Sequence, residues 1–158
     1  MKVLLVCLGN ICRSPTAEAV FRARANAAGL NNAFDSAGTG GWHIGRPPDP
    51  RAIRAGAKRG FDLSPLRGRQ ISASDFHDFD LILTMDEDNF ETVQVRAPNA
   101  ETAMNVKPVL SVLPDGDGGV PDPYYGGDDG FEHVLDLLER AADAWSAQWS
   151  QAEGVPRA

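Results

Sequence analysis

Two side chains near the start of the chain, Cys7 and Arg13, have the types and spacing needed to handle a phosphoryl group. They form a Cys-x5-Arg pattern within KVLLVCLGNICRSPTAEAVF, residues 2–21. A loop of this length can curl around a tetrahedral dianion, and a planar guanidinium can bind two of its oxygens. Loop amides, an arginine and a helix N-terminus all favour a thiolate, the form of cysteine that attacks phosphorus. The pattern therefore predicts a cysteinyl-phosphate intermediate.

The elements on either side of this loop are also predictable. The apolar run Val3–Val6 predicts a buried strand that ends at Cys7. Ser14 and Pro15 predict a helix start, with serine as the N-cap and proline at the first helical position. Gly29 follows the apolar stripe of that helix and predicts its end. A strand, a short loop and a helix start leave several backbone N–H groups directed at one point, which favours an anion there.

Other interpretations of the motif are available from the residues alone. A cysteine at the end of an apolar strand is often a small buried hydrophobic residue, and Cys-x5-Arg also occurs by chance. A nucleotide-binding P-loop is excluded because the chain contains no G-x-x-x-x-G-K-[ST] pattern. The flanking strand and helix signals favour the catalytic interpretation.

Bulk properties narrow the class of protein. The chain has 158 residues, of which 42% are hydrophobic and 23% charged, as expected for one globular domain. A net charge of −7 argues against nucleic-acid binding. No apolar stretch approaches a membrane span and no signal peptide precedes the first strand, so we expect a cytoplasmic protein without membrane contact. The three histidines and two cysteines lack metal-ligand spacing, so we expect no metal.

Hydrophobic periodicity predicts alternating strands and helices along the rest of the chain. The predicted strands after the first are 33–37, 79–85 and 105–110, and the predicted helices are 50–59, 72–77, 86–96 and 130–151. This alternation indicates a single α/β domain over residues 1–151 with a parallel sheet, followed by a disordered tail at 152–158. Asp86 is predicted to be an N-cap, and the basic residues of 50–59 a solvated face. The Gly-, Pro- and Asp-rich stretch 114–130 predicts a long loop, a kind of loop that is often functional.

The motifs together resemble the low-molecular-weight protein tyrosine phosphatases over about residues 1–150. The resemblance is carried by the first loop and by motifs spread along the chain: Ser36-Ala37-Gly38-Thr39, Gly41-Trp42, Pro47-Pro48-Asp49, Arg69-Gln70, Asp80-Leu81-Ile82-Leu83, Met85-Asp86 and Asp122-Pro123-Tyr124-Tyr125-Gly126. It implies a four-stranded parallel sheet with helices on both faces and a phosphate-binding loop at the end of the first strand.

The resemblance also implies how the chemistry is divided among the residues. Cys7 would be the nucleophile, Arg13 and the loop amides would stabilise the phosphoryl oxygens, and Ser14 would hydrogen-bond to the thiolate. From composition alone Asp122 is a turn residue, but the resemblance makes it the general acid and then the general base. No cofactor or metal is required for these steps.

The same resemblance predicts the substrate and its binding residues. Aromatic side chains would line a deep slot suited to a phenyl phosphate and too deep for phosphoserine. The predicted substrate-binding residues are Leu8, Gly9, Asn10, Ile11, Cys12, Ser14, Trp42, Tyr124 and Tyr125. The expected partners are phosphotyrosine-containing proteins and a cognate tyrosine kinase, with inorganic phosphate as the product.

Three related or competing functions stay open at this point. Phosphoarginine phosphatases of similar sequence carry threonine at the position of Ile11, so isoleucine favours phosphotyrosine. Arsenate reductases of the same fold need further cysteines downstream, and this chain has none after Cys12. A scaffold with an inactive site is disfavoured by the joint presence of Cys7, Arg13 and Asp122.

Two further expectations concern the nucleophile loop. Many family members have a histidine at the position of Leu66 that supports the loop asparagine, so the support of Asn10 is in question here. The resemblance further predicts that Cys7 and Cys12 form a reversible disulfide under oxidation.

Overall fold

A parallel sheet lies at the centre of the protein and brings the candidate residues to one edge. The structure, a computed structural model, describes residues 1–116, 118–124 and 126–153. In these residues the sheet has four strands in the order β2-β1-β3-β4, every pair parallel. The strands are β1 Lys2–Cys7, β2 Ala33–Gly38, β3 Leu81–Thr84 and β4 Val106–Pro108. The predicted fold class is confirmed.

Helices cover both faces of this sheet. Their bounds are α1 Arg13–Ala27, α2 Pro50–Lys58, α3 Asp75–Asp78, α4 Glu87–Arg96, α5 Ala100–Ala103 and α6 Asp128–Glu153. One buried apolar cluster joins α1, α2 and α6 to one face of β1. A second buried apolar cluster joins α3 and α4 to the opposite face of β1. No helix of the described residues is both long and apolar enough to cross a membrane.

Strand β1 is buried on both faces, as a central parallel strand must be. Val3, Leu5 and Cys7 belong to the first cluster, whereas Leu4 and Val6 belong to the second. All five residues have at most 3% of their surface exposed. This alternation places the Cys7 side chain on the α1 face, at the carboxyl end of the strand, where ligands bind in open parallel sheets.

The start of α1 differs from the sequence prediction. The helix begins at Arg13 with Cys12 before it, so Ser14 lies inside the first turn and makes no capping bond. Its hydroxyl is fully buried and contacts Cys7 and Asn10 instead, because these partners compete with the backbone for it. The predicted helix end is confirmed: Gly29 adopts the left-handed conformation, with φ of 78°.

Helix α6 packs on the sheet along the stripe predicted from sequence. It begins at Asp128, two residues earlier than predicted, and includes Ala152 and Glu153, which were assigned to the tail. Residues 154–158 of the predicted tail lie outside the described residues. The apolar stripe residues are all buried: Phe131, Val134, Leu135, Leu138, Ala142, Trp145 and Trp149.

The basic residues of the second helix region are not simply a solvated face. The Arg59 guanidinium donates to Glu132 at 2.9 Å and to Asp136 at 2.9 Å, both on α6. It also contacts Glu139, which Arg24 of α1 contacts at 2.5 Å. The prediction is therefore wrong for Arg59, because tertiary packing brings an acidic helix against it.

Candidate active site

The loop between β1 and α1 forms the floor of a cleft of about 310 Å³. Cys7 enters the loop at the end of β1, and Arg13 leaves it as the first residue of α1. Residues from two other segments, around Trp42 and around Asp122, complete the cleft. Its lining residues are Cys7, Leu8, Gly9, Ile11, Cys12, Arg13, Trp42, His43, Asp122 and Tyr124. The structure thus brings together residues separated by more than a hundred positions in the chain.

The Cys7 sulfur is held by two hydrogen-bonding groups. The backbone N–H of Asn10 donates to Cys7 Sγ at 3.3 Å, and Ser14 Oγ lies 3.1 Å from the same sulfur. Both groups can donate to a thiolate, and both are fixed by the loop and the first turn of α1. The sulfur therefore has a defined position at the base of the cleft.

Asn10 gives the loop its curvature. Its φ of 57° is in the left-handed region, which asparagine tolerates better than most residues. Its side-chain amide donates to Ser14 Oγ at 2.7 Å and to Ser36 Oγ at 3.1 Å, and its carbonyl accepts from the Arg69 amide at 2.9 Å. Neither Asn10 nor Ser14 lines the cleft. They lie behind it and hold the loop in place.

This network answers the question raised by Leu66. The Leu66 side chain packs against the apolar core and contributes nothing polar to the loop. Instead Ser36, which bonds to Asn10, donates to the buried carboxylate of Glu18 at 2.7 Å. Arg22 in turn donates to the other oxygen of Glu18 at 2.6 Å. The loop asparagine is therefore supported without the family histidine.

Arg13 is almost completely buried, and its guanidinium is oriented by acceptors from two segments. Its Nη1 donates to Asp86 Oδ2 at 2.5 Å and to the carbonyl of Val120 at 3.1 Å. Burial alone would lower the pKa of Arg13, but the negative groups around it, Cys7, Asp86 and Asp122, raise the pKa above its ordinary value. Arg13 therefore remains a cation beside Cys7.

Asp122 faces the same cleft from the loop before α6. Its carboxylate lies 3.7 Å from Arg13 Nη2, and 44% of its side-chain surface is exposed. The Tyr124 amide donates to Asp122 Oδ1 at 3.0 Å, which closes a tight turn over the buried Pro123. A carboxylate in this position can exchange protons with a group bound in the cleft.

Comparison with known proteins gives the family. The family described as low molecular weight phosphotyrosine protein phosphatase matches residues 2–153. The chain belongs to this family of hydrolases. A putative low molecular weight protein-tyrosine-phosphatase from Synechocystis is 48% identical, with 89% of this chain and 91% of the relative covered.

Solved structures of the family have the same fold. A protein tyrosine phosphatase from Entamoeba histolytica superposes with a TM-score of 0.92 at 37% identity, covering 97% of this chain and 99% of that chain. A Vibrio vulnificus protein in complex with benzylphosphonate superposes with a TM-score of 0.84 at 31% identity, covering 93% and 97%.

The rim of the phosphatase cleft is apolar and partly exposed. Trp42 and Tyr124 line the cleft, as predicted, with 69% and 39% of their surfaces exposed. The Trp42 ring lies against Gly40, where an added Cβ would be 1.9 Å from the ring. A larger residue at position 40 would displace the ring. Tyr125, also predicted to bind substrate, lies outside the described residues.

Cys12 is the second thiol of the loop between β1 and α1. It has 5% of its surface exposed and forms no disulfide with Cys7 in this structure. Burial, followed by the negative charges of Asp49, Cys7 and Asp122, raises the pKa of the Cys12 thiol to about 12. Cys12 is therefore a neutral thiol at physiological pH.

Three residues at the site were missed by sequence reasoning. Asp86 was predicted only as an N-cap, although it follows β3 at the same sheet edge as Cys7, a signal that could have identified it. His43 lines the cleft beside Trp42. Arg51, assigned to a solvated face, instead contacts the loop that carries Asp122.

Proposed function

We propose that the protein hydrolyses phosphotyrosine monoesters through a cysteinyl-phosphate intermediate. The observation that carries the proposal is the convergence of Cys7, Arg13 and Asp122 on one cleft, with the two charged side chains 3.7 Å apart. A nucleophile, an anion clamp and a proton donor are the groups that phosphoryl transfer needs.

In the first step, the Cys7 thiolate attacks phosphorus and the bond from phosphorus to the tyrosine oxygen breaks. Asp122, protonated at this stage, gives its proton to the departing phenolate oxygen. Arg13 and the N–H groups of the loop stabilise the equatorial oxygens, since their positions are fixed before substrate binds.

In the second step, water attacks phosphorus and the bond to sulfur breaks. The Asp122 carboxylate takes a proton from the water, and inorganic phosphate leaves. Ser14 Oγ, at 3.1 Å from Cys7 Sγ, stabilises the thiolate that is released. Each step is complete with side chains, backbone amides and water.

The shape of the cleft favours an aromatic phosphate ester. Trp42 and Tyr124 flank the opening, and Ile11 contributes an apolar wall. The Vibrio vulnificus relative is in complex with benzylphosphonate, a compound of this shape, which supports an aryl-type substrate here. The partners would be phosphotyrosine proteins and a cognate tyrosine kinase, and a cytoplasmic location, as predicted from sequence, would keep both thiols reduced.

Hydrolysis of p-nitrophenyl phosphate and of a phosphotyrosine peptide tests the proposal. We expect wild type to hydrolyse both substrates, with a burst of p-nitrophenol from p-nitrophenyl phosphate, and Cys7→Ser to bind the peptide without turnover. Full turnover by Cys7→Ser would exclude the cysteinyl-phosphate route. Binding without turnover by wild type would favour the scaffold function. A pull-down with Cys7→Ser would then identify physiological substrates.

A further inference from the structure

We propose that Arg51 is a positioning residue that holds the Asp122 loop in its working place over the nucleophile loop. This inference rests on the proposed function, because it takes Asp122 to be the general acid. Arg51 lies in the first turn of α2, directly after Pro50. It is outside the cleft lining and does not reach the reacting atoms.

The Arg51 guanidinium binds the backbone of the acid loop, the segment before α6 that carries Asp122. Its Nη2 donates to the carbonyl of Tyr124 at 2.8 Å, and its Nη1 donates to the carbonyl of Gly126 at 3.3 Å. The guanidinium carbon also lies 4.9 Å from the centre of the Phe131 ring and 5.6 Å from that of Tyr124. A planar cation with several donors can satisfy two carbonyls and stack on rings at once, which a lysine cannot do.

The same guanidinium is anchored to the nucleophile loop through Asp49. Arg51 Nε donates to Asp49 Oδ1 at 3.1 Å, and Nη2 donates to Oδ2 at 2.9 Å. The hydrogen bonds from Arg51 lower the pKa of Asp49, so this carboxylate stays ionised. The backbone N–H of Asp49 donates to the carbonyl of Ile11 at 2.8 Å. A continuous set of contacts therefore joins the loop of Cys7 to the loop of Asp122.

The acid loop is thus fixed on both sides of Asp122. Two residues before it, the Val120 amide donates to the Met85 carbonyl at 2.7 Å, and the Val120 carbonyl accepts from Arg13. Two residues after it, the Tyr124 carbonyl accepts from Arg51. The Asp122 carboxylate is half-exposed, accepts from the Tyr124 amide of its own loop, and lies 3.7 Å from Arg13, so its contact with the rest of the fold is weak. Loss of Arg51 would release one of the two supports.

A displaced general acid has a recognisable kinetic effect. General acid catalysis contributes about 10²–10⁴-fold, and a misplacement of about 1 Å can remove much of this. We expect Arg51→Gln to lower kcat/KM for phenyl phosphate by about 10- to 100-fold. An activated nitrophenyl ester needs little protonation of its leaving group, so its kcat/KM should fall less than about threefold.

Matched variants separate positioning from charge and from folding. Arg54→Gln removes the same charge from an exposed position of the same helix, and its kcat/KM should stay within about twofold of wild type for both esters. Arg51→Lys keeps the charge beside Asp49 but cannot bind both carbonyls, so it should show the same leaving-group dependence as Arg51→Gln. If Arg51→Gln does not fold, Arg51→Lys provides the comparison, and thermal unfolding is measured for each.

The decisive measurement is the double variant Arg51→Gln/Asp122→Asn. If Arg51 acts through Asp122, the double variant should have a kcat/KM for phenyl phosphate within about twofold of that of Asp122→Asn alone. The inference would be overturned if Arg51→Gln lowered kcat/KM equally for both esters. It would also be overturned if the effects of Arg51→Gln and Asp122→Asn on kcat/KM were fully additive. Absence of a leaving-group effect in Asp122→Asn alone would overturn the assignment of the acid, and the role of Arg51 with it.

Discussion

Arg13 Nη1 and Asp86 Oδ2 are 2.5 Å apart, and the other oxygen of Asp86 accepts from the Asn89 amide at 2.8 Å to cap α4. One carboxylate therefore orients Arg13, the proposed phosphate-binding residue, and starts a helix. Because the helix fixes the carboxylate, the direction of the guanidinium is set by the fold before any substrate binds. Preorganisation of this kind is what makes a cation effective in stabilising transferred phosphoryl oxygens.

Asp86→Ser separates these two functions. Serine is also a good N-cap, so the helix start is kept, but its side chain is too short to reach Arg13. We expect kcat/KM to fall about tenfold, because Arg13 loses the partner that fixes its orientation. The free energy of unfolding should fall by about 1–3 kcal/mol, since a buried cation loses an acceptor.

Asp88→Asn is the control for Asp86→Ser, because it removes an exposed carboxylate from the same helical turn. Steady-state kinetics and urea unfolding of both variants give the comparison. Unchanged kcat/KM in Asp86→Ser would show that Val120 and the loop orient Arg13 without the carboxylate.

Contacts between residues close in sequence were the predictable part of this protein. The order Cys7, loop, Arg13 follows from a strand signal and a helix signal a few residues apart. The stripe of α6 follows from helical periodicity, and every residue named in it is buried. The end of α1 at Gly29 follows because glycine takes a positive φ without steric strain.

Contacts between distant segments were not predictable by this reasoning. Arg13 and Asp86 are 73 positions apart, as are Arg51 and Tyr124. The place of Asp86 after β3 indicates the sheet edge at which it lies but not that it pairs with Arg13, and no feature near Arg51 indicates Tyr124. The N-cap prediction for Ser14 was wrong for a related reason. The tertiary structure offers its hydroxyl partners that a single helix does not have.

Ile11→Thr tests the choice between phosphotyrosine and phosphoarginine. Ile11 is one of the residues that line the cleft, and its backbone carbonyl accepts from the Asp49 amide, so the substitution changes a cleft residue and leaves that bond intact. A hydroxyl can hydrogen-bond to a guanidinium that an apolar wall leaves unpaired. The ratio of phosphoarginine to phosphotyrosine kcat/KM should therefore rise about tenfold.

Ile11→Val is the matched variant for this test, since it keeps a branched apolar side chain and should leave the ratio unchanged. Both substrates are compared under the same conditions for wild type and the two variants. A wild-type preference for phosphoarginine would show that the phosphotyrosine assignment is wrong.

The raised pKa of Cys12 predicts a pH dependence of stability. The ordinary value is 9.0, and burial with nearby negative charges raises the pKa to about 12 in the folded protein. Below pH 9 the Cys12 thiol is protonated in both the folded and the unfolded state, so its contribution to the free energy of unfolding does not change with pH. Above it the unfolded state releases the proton first, so wild type should lose about 1.4 kcal/mol per pH unit relative to Cys12→Ala. Urea unfolding at several values between about pH 8 and pH 11 measures this difference. A difference that is independent of pH would contradict the prediction.

The presence of Cys12 in the same loop as Cys7 predicts that peroxide inactivates the enzyme reversibly. We expect peroxide to oxidise Cys7, the proposed nucleophile, to a sulfenic acid, because the buried Cys12 thiol stays neutral and reacts little. Cys12 sulfur then bonds to Cys7 sulfur, and the hydroxyl leaves with the Cys12 proton as water. The disulfide prevents further oxidation to the irreversible sulfinic acid.

Wild type treated with peroxide should therefore regain most of its activity with dithiothreitol, whereas Cys12→Ser should lose its own activity permanently at the same dose. Before reduction, the intact mass of wild type should be lower by two hydrogens. Inorganic phosphate should protect both proteins, because it occupies the loop that peroxide must enter. Equal recovery of the two proteins, or an oxidised wild type without the mass loss, would show that Cys12 only packs beneath the loop.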